Sequence, residues 1–176
     1  MLARISRASR PSAPERADAL PKFSVARSVP YSAEQVFAIA RDVACYREFV
    51  PLVTRSVVRN VRALDNGGET FDGDLTLAYA KLGVQETMTS RVTVDPAQLT
   101  VRAESNQGPV RHLVSEWRIV DTGPDKSEIN FTVDYQLRSR TLQLVFSGMF
   151  DLAVRKIMNA FEERARSLYG PPPASS

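Results

Sequence analysis

The sequence predicts an α+β domain in which a curved antiparallel sheet of about seven strands wraps around one long C-terminal helix, with two short helices after the first strand. Three observations carry this. Phe146, Phe150, Ala153, Ile157, Phe161, Ala165 and Leu168 recur every three or four residues, which places them on one face of an uninterrupted helix over 141–169. Upstream, apolar and polar residues alternate strictly in several segments, the signature of strands with one wet face. Turn residues separate those segments at hairpin distances.

The elements follow in order. Phe23, Val25 and Val29 mark a first strand that ends at Pro30. Ser32 then reads as a helix N-cap with Gln35 as its reciprocal partner, and Tyr31 and Val36 are placed for a hydrophobic staple. Phe37, Ile39, Ala40 and Val43 give this helix its apolar side, and a second short helical turn through Tyr46 stops near Pro51. Residues 53–63 form a strand that ends at Asp65-Asn66-Gly67-Gly68. Phe71, Gly73, Leu75, Leu77 and Tyr79 share a face of the next strand, opposite Asp72 and Asp74. In the strand after that, Val84, Glu86, Met88, Ser90 and Val92 share a face. Asp95-Pro96 turns the chain into Leu99, Val101 and Ala103, and the loop 106–109 leads to a strand with Leu113, Trp117 and Ile119. Thr122-Gly123-Pro124-Asp125 turns into the last strand, with Ile129, Phe131, Val133, Tyr135 and Leu137 on one side.

Composition bounds what such a domain does. At 176 residues, with 43% apolar and 24% charged residues, the chain suits one soluble domain with a proper core. Residues 21–170 are expected to form it, between a disordered or targeting tail at 1–20 and a disordered tail at 171–176. The formal charge of +3 owes +2 to the leader, where Arg4, Arg7, Arg10 and Arg16 outnumber Glu15 and Asp18. The near-neutral remainder lacks the basic footprint of a dedicated nucleic-acid binder. One cysteine and one histidine exclude an intramolecular disulfide and a conventional zinc site. No apolar run is long enough to span a bilayer as a helix.

Catalytic chemistry is hard to find. No glycine-rich phosphate loop and no close carboxylate pair is present, and His112 alternates away from Leu113 and Trp117 toward solvent. Cys45, between Val43 and Tyr46, reads as a small packing residue. Glu86 shares a face with Met88 and Val92, so the pleat aims it at the concave side. It either bonds a ligand head group or reaches water at the strand end. Phe71, Trp117, Phe131 and Tyr135 are core residues in one reading and walls of an apolar tunnel in the other. Leu142, Leu144, Val145 and Met149 spread around the start of the long helix, an apolar surplus suited to a membrane, a protein partner, a second copy or burial under the short helices.

The motifs go further. Val29-Pro30-Tyr31-Ser32-Ala33-Glu34-Gln35-Val36-Phe37 runs into Asp42-Val43-Ala44-Cys45-Tyr46-Arg47-Glu48-Phe49-Val50-Pro51. This resembles the opening of the coenzyme-Q-binding family, which has the helix-grip fold of START-like and polyketide-cyclase-like domains and also contains bacterial ribosome-association toxin A proteins. Gly108-Pro109-Val110 with Leu113 and Trp117, and Phe161-Glu162 with Arg164-Ala165, resemble two further segments of that family. Leu52 stands where many members carry tryptophan and Val110 where they carry phenylalanine, which removes aromatic area from a pocket.

The resemblance implies a non-enzymatic carrier or chaperone that binds ubiquinone or a similar polyprenylated lipid and serves respiratory electron transport. It needs no cofactor beyond that ligand. The expected lining is Phe37, Phe49, Pro51, Phe71, Leu75, Leu77, Glu86, Met88, Trp117, Phe131, Tyr135, Phe146, Phe150 and Ile157. Implied partners are the lipid and a membrane surface, with a ribosome or a second copy as alternatives. The implied location is the bacterial cytoplasm at the inner membrane, or else the matrix side of the mitochondrial inner membrane. The competing reading is a ribosome-binding inhibitor of subunit association, and a cyclase-like enzyme comes third.

Overall fold

In a computed structural model, which describes residues 22–174, the chain runs β1 (Lys22–Val29), α1 (Ala33–Arg41), α2 (Tyr46–Phe49), β2 (Val53–Ala63), β3 (Glu69–Tyr79), β4 (Val84–Asp95), β5 (Thr100–Ser105), β6 (Val110–Gly123), β7 (Lys126–Leu137) and α3 (Arg140–Tyr169). Single 3-10 turns at Val43–Cys45 and Ala80–Leu82 complete it. The expected leader at 1–20 lies outside the described residues. All seven strands pair antiparallel in one sheet of order β1-β7-β6-β5-β4-β3-β2. The predicted fold class and element order are those of the structure.

Local chemistry explains where the elements begin and end. The Ser32 hydroxyl accepts from Gln35 N at 3.3 Å while Gln35 Oε1 accepts from Ser32 N at 3.0 Å, closing the predicted capping box. Asp95 Oδ1 accepts from Ala97 N and Gln98 N, so the carboxylate itself builds the β4–β5 turn. Gly67 turns the β2–β3 hairpin with φ 80°, a conformation that favours glycine. The Ser139 hydroxyl caps α3 by accepting from Leu142 N at 3.2 Å.

The strands' outer face is polar and cross-linked. Asp72 accepts from Arg91 and Asn60, and Asp74 from Arg59 and Thr89, as their alternation predicts. The Asn60 hydrogen bond, then Arg91, holds the Asp72 carboxyl below its ordinary range. His112 is half-buried, with Nε2 3.8 Å from Asp134 Oδ2.

The long helix grips the sheet unevenly. Its C-terminal half is anchored: the Phe161 ring stacks on Trp117 at 4.4 Å between centroids and meets Tyr46 and Phe49 edge-on. Val154, Met158 and Ala165 are buried beside it. Arg27 of β1 donates to Asn159 Oδ1 and Glu162 Oε2, and Arg164 pairs with Glu48 of α2 at 2.8 Å. The expected apolar face needs two corrections. Leu168 is 51% exposed at the edge of a depression beside α1, while Met158 and Val154 are among the most buried positions. Ahead of that anchor, Phe146, Phe150, Ala153 and Ile157 are only half-buried.

Phe161 is the anchor's centre. Phe161→Ala is expected to cost about 3–5 kcal/mol of unfolding free energy. Urea titration reads this as a lower midpoint with an unchanged slope.

Candidate functional site

Between the sheet's concave face and the N-terminal half of α3 lies a cavity of about 390 Å³. Three kinds of wall form it. The strands supply Gly73, Leu75 and Leu77 from β3, Met88, Ser90 and Val92 from β4, Val101 and Ala103 from β5, Leu113, Ser115 and Trp117 from β6, and Phe131 and Val133 from β7. The short helices and the turn after them supply Val43, Tyr46 and residues 50–53. Helix α3 supplies Phe146, Met149, Phe150, Leu152, Ala153, Val154, Lys156, Ile157 and Phe161.

Period-two alternation explains the strand walls. Cross-strand partners share a face, so the pairs Leu75↔Met88 and Trp117↔Phe131 bring concave-side residues together row by row. Gly73 keeps one row open, because a Cβ there would stand 3.3 Å from Val92 Cγ2 and 3.6 Å from Val43 Cγ1.

The expected lining divides. Pro51, Leu75, Leu77, Met88, Trp117, Phe131, Phe146, Phe150 and Ile157 all border the cavity. Phe37, Phe49, Phe71, Glu86 and Tyr135 do not. Phe37 and Phe71 are buried core residues, and Tyr135 is buried behind Phe150, with the rings stacked at 5.1 Å. Phe49 packs against Phe161 and borders a separate depression between α1, α2 and the end of α3. Glu86 faces Leu77 across the ladder but is exposed and does not border the cavity.

The group expected at a partner surface divides too. Met149 borders the cavity, with its sulfur 3.7 Å from the Tyr79 hydroxyl. Leu142 and Val145 are half-buried, and Leu144 is 77% exposed. Val110 is buried and does not border the cavity.

Sequence reasoning missed two features. Leu52 is held with φ 70° at the rim, where its carbonyl accepts from Ala78 N. The left-handed region costs a leucine roughly 1–2 kcal/mol, and nothing in the local sequence announces it. The second feature is polar. Ser90 and Ser115 put hydroxyls into a lining that is otherwise almost wholly apolar. The alternation that nominated Glu86 places Ser90 on the same face, four residues on and deeper in the fold.

Among the described residues no three His, Cys, Asp or Glu side chains cluster as metal ligands. The Tyr46 hydroxyl is committed to Ala40 O at 2.5 Å, and burial raises its pKa. Cys45 lies outside the cavity, half-buried beside the Phe49 depression. A hydrogen bond to Asp42, then desolvation, pushes its thiol up to about 11.

Comparison with known proteins places this geometry. The family described as polyketide cyclase/dehydrase and lipid transport matches residues 29–162. The chain belongs to that family. It is 27% identical over 152 residues to the ribosome association toxin RatA of Escherichia coli K12, covering 85% of this chain and 90% of that protein. It is 32% identical over 148 residues to the mitochondrial coenzyme Q-binding protein COQ10 of Drosophila melanogaster, covering 82% of this chain and 58% of the fly protein. Among solved structures, a START superfamily protein from Mycobacterium smegmatis superposes with a TM-score of 0.70 at 18% identity, covering 84% of this chain and 98% of that one. The resemblance read from the 29–51 and 108–117 motifs is therefore a family relationship.

The raised Cys45 pKa keeps the thiol protonated at neutral pH. Alkylation by iodoacetamide at pH 8 is expected to run at least about tenfold slower than for free cysteine and to accelerate only as pH approaches 11. Mass spectrometry of the time course reads it, and alkylation as fast as the free thiol contradicts the Asp42 contact.

Proposed function

We propose that the protein is a non-enzymatic carrier that takes up ubiquinone or a similar prenylated lipid between the sheet and the N-terminal half of α3. The observation that carries this is the cavity's size combined with its lining. Protein interiors rarely keep voids larger than a water molecule. A volume near 390 Å³ lies instead in the range of small-molecule pockets. The name of the fly relative, a coenzyme Q-binding protein, supports the same ligand class. The lining holds no acid–base pair, which favours carriage over cyclase chemistry.

The energetics specify how such a carrier works. A prenyl unit of five carbons gains up to about 4 kcal/mol on leaving water, at about 0.8 kcal/mol per carbon. It gains almost nothing on leaving a bilayer. Transfer therefore takes place with the cavity mouth on the membrane, and the protein binds there peripherally; among the described residues no helix is long and apolar enough to span one. Leu52, Leu77 and Leu152 line the cavity and are also exposed, so its apolar surface continues outward. Exposed Leu82 and Lys81 occupy the turn just beyond Tyr79, and Lys156 stands at the rim. Leucines with flanking lysines suit an interface with anionic lipid headgroups. In a bacterium this is the cytoplasmic face of the inner membrane, and in a mitochondrion the matrix face.

A second reading is ribosome association, favoured by the name of the bacterial relative. Strand β2, at the sheet edge, carries Arg55, Arg59 and Arg62 and no carboxylate of its own. Arg59 is occupied by Asp74 at 2.8 Å, while Arg55 and Arg62 are exposed and in no ion pair among the described residues, a strip of two cations for phosphates. The cavity favours the carrier.

Organic extracts of gently purified protein are expected to contain near-stoichiometric prenylquinone by mass spectrometry. Leu77→Asp, which puts a charge in the cavity mouth, is expected to abolish that ligand while the protein stays folded. A folded variant that keeps wild-type occupancy contradicts the cavity as the site. Lys81→Glu combined with Leu82→Asp alters the rim outside the cavity. It is expected to lower flotation with vesicles containing anionic lipid by more than tenfold without changing ligand content.

A further inference from the structure

We infer that the Ser90 hydroxyl reads the head group of the bound lipid, and that this head group carries a hydrogen-bond acceptor such as a quinone carbonyl. The inference rests on the carrier reading and deepens it. Ser90 is 6% exposed on β4 and borders the cavity. Its hydroxyl has no hydrogen-bond partner among the described residues, whereas the neighbouring Ser105 hydroxyl donates to Thr89 O at 2.6 Å. The hydroxyl opens on the cavity, and among its apolar walls a ligand acceptor is worth more to it than at the surface.

The surroundings keep this hydroxyl available. The residue opposite Ser90 on β3 is Gly73, which has no side chain to cover it. The flanking concave-side residues on β4 are Met88 and Val92, neither of which offers a strong hydrogen bond. Most other polar groups of the lining are occupied or peripheral. The Tyr46 hydroxyl bonds Ala40 O, the Tyr79 hydroxyl contacts Met149, and Lys156 is at the exposed rim. Ser115, on β6, is half-buried and faces Ala103 and Val133 across its two ladders. Among the described lining residues, Ser90 is thus the most buried hydroxyl donor without a protein partner.

A serine hydroxyl both donates and accepts. It therefore satisfies a quinone carbonyl and, by turning its proton, the corresponding quinol. An apolar molecule of equal size leaves it unsatisfied, and that difference is the selectivity.

Trp117, the single tryptophan of the sequence, lines the cavity and reports occupancy by fluorescence. The probes are a short-chain alkyl benzoquinone, which quenches that fluorescence, and the matching alkylbenzene, which competes for the same space. Ser90→Thr and Ser90→Val are nearly isosteric and differ in the hydroxyl, so a shared packing effect cancels between them. S90V is expected to bind the quinone roughly 2- to 12-fold more weakly than S90T. Alkylbenzene affinity is expected to be equal in the two. Equal quinone affinity in S90V and S90T overturns the role of Ser90 and leaves the carrier reading standing if wild-type protein binds the quinone. Parallel loss of both probes in S90V also overturns it, since that marks a structural serine. Wild-type protein that takes up neither probe overturns the carrier reading together with this one.

Discussion

The stacking of Phe161 on Trp117, with Tyr46 and Phe49 closing on its edges, is the contact on which the rest of the structure depends. It joins three elements distant in sequence: the closing helix, the centre of the sheet and the short helix α2. Offset stacking and edge contacts add stability beyond buried area, and they fix ring orientation. With that end of α3 fastened, and reinforced by Arg27 and Arg164, the helix axis is set relative to the sheet. The cavity follows from this geometry. A straight helix fastened at one end to a twisted, curling sheet cannot follow the sheet's surface along its whole length.

The cavity is therefore a consequence of shape and not of unusual composition. The same kinds of residue that complete the core around Phe161 line open space around Phe150 and Ile157. Half-burial of Phe146, Phe150, Ala153 and Ile157 leaves apolar surface that a lipid would cover, while Phe150 is still held by Tyr135 and Phe23. Core and cavity thus share one continuous apolar surface, divided by where the helix leaves the sheet. The rim extends that surface to the outside, where Leu52 is held at a backbone cost.

Much of this was legible in the residues. The capping box at Ser32, the turns at Asn66-Gly67 and Asp95-Pro96, and the alternation in β3 and β7 depend on neighbours in sequence, and they appear as read. Nine of the fourteen expected lining residues border the cavity for the same reason: alternation tells which face a strand residue takes. The five that do not show where that rule stops. Phe71 and Tyr135 face the concave side but are covered, the latter by Phe150. Glu86 faces it too, but is exposed on β4 and does not border the cavity. Facing the concave side and bordering the cavity differ by position along the strand, which periodicity does not encode.

The sequence by itself determined the elements, their order, the face each strand residue takes and the family, because each is a local pattern of period, cap, turn or motif. Tertiary structure decided the rest: that α3 is anchored at Phe161 and not at Phe146, that Leu168 is left in water, and that Ser90 rather than Glu86 is the buried polar group in the cavity. These outcomes depend on the angle and offset between the helix and the curved sheet. That relation is set by contacts between residues far apart in the chain, so no window of sequence contains it.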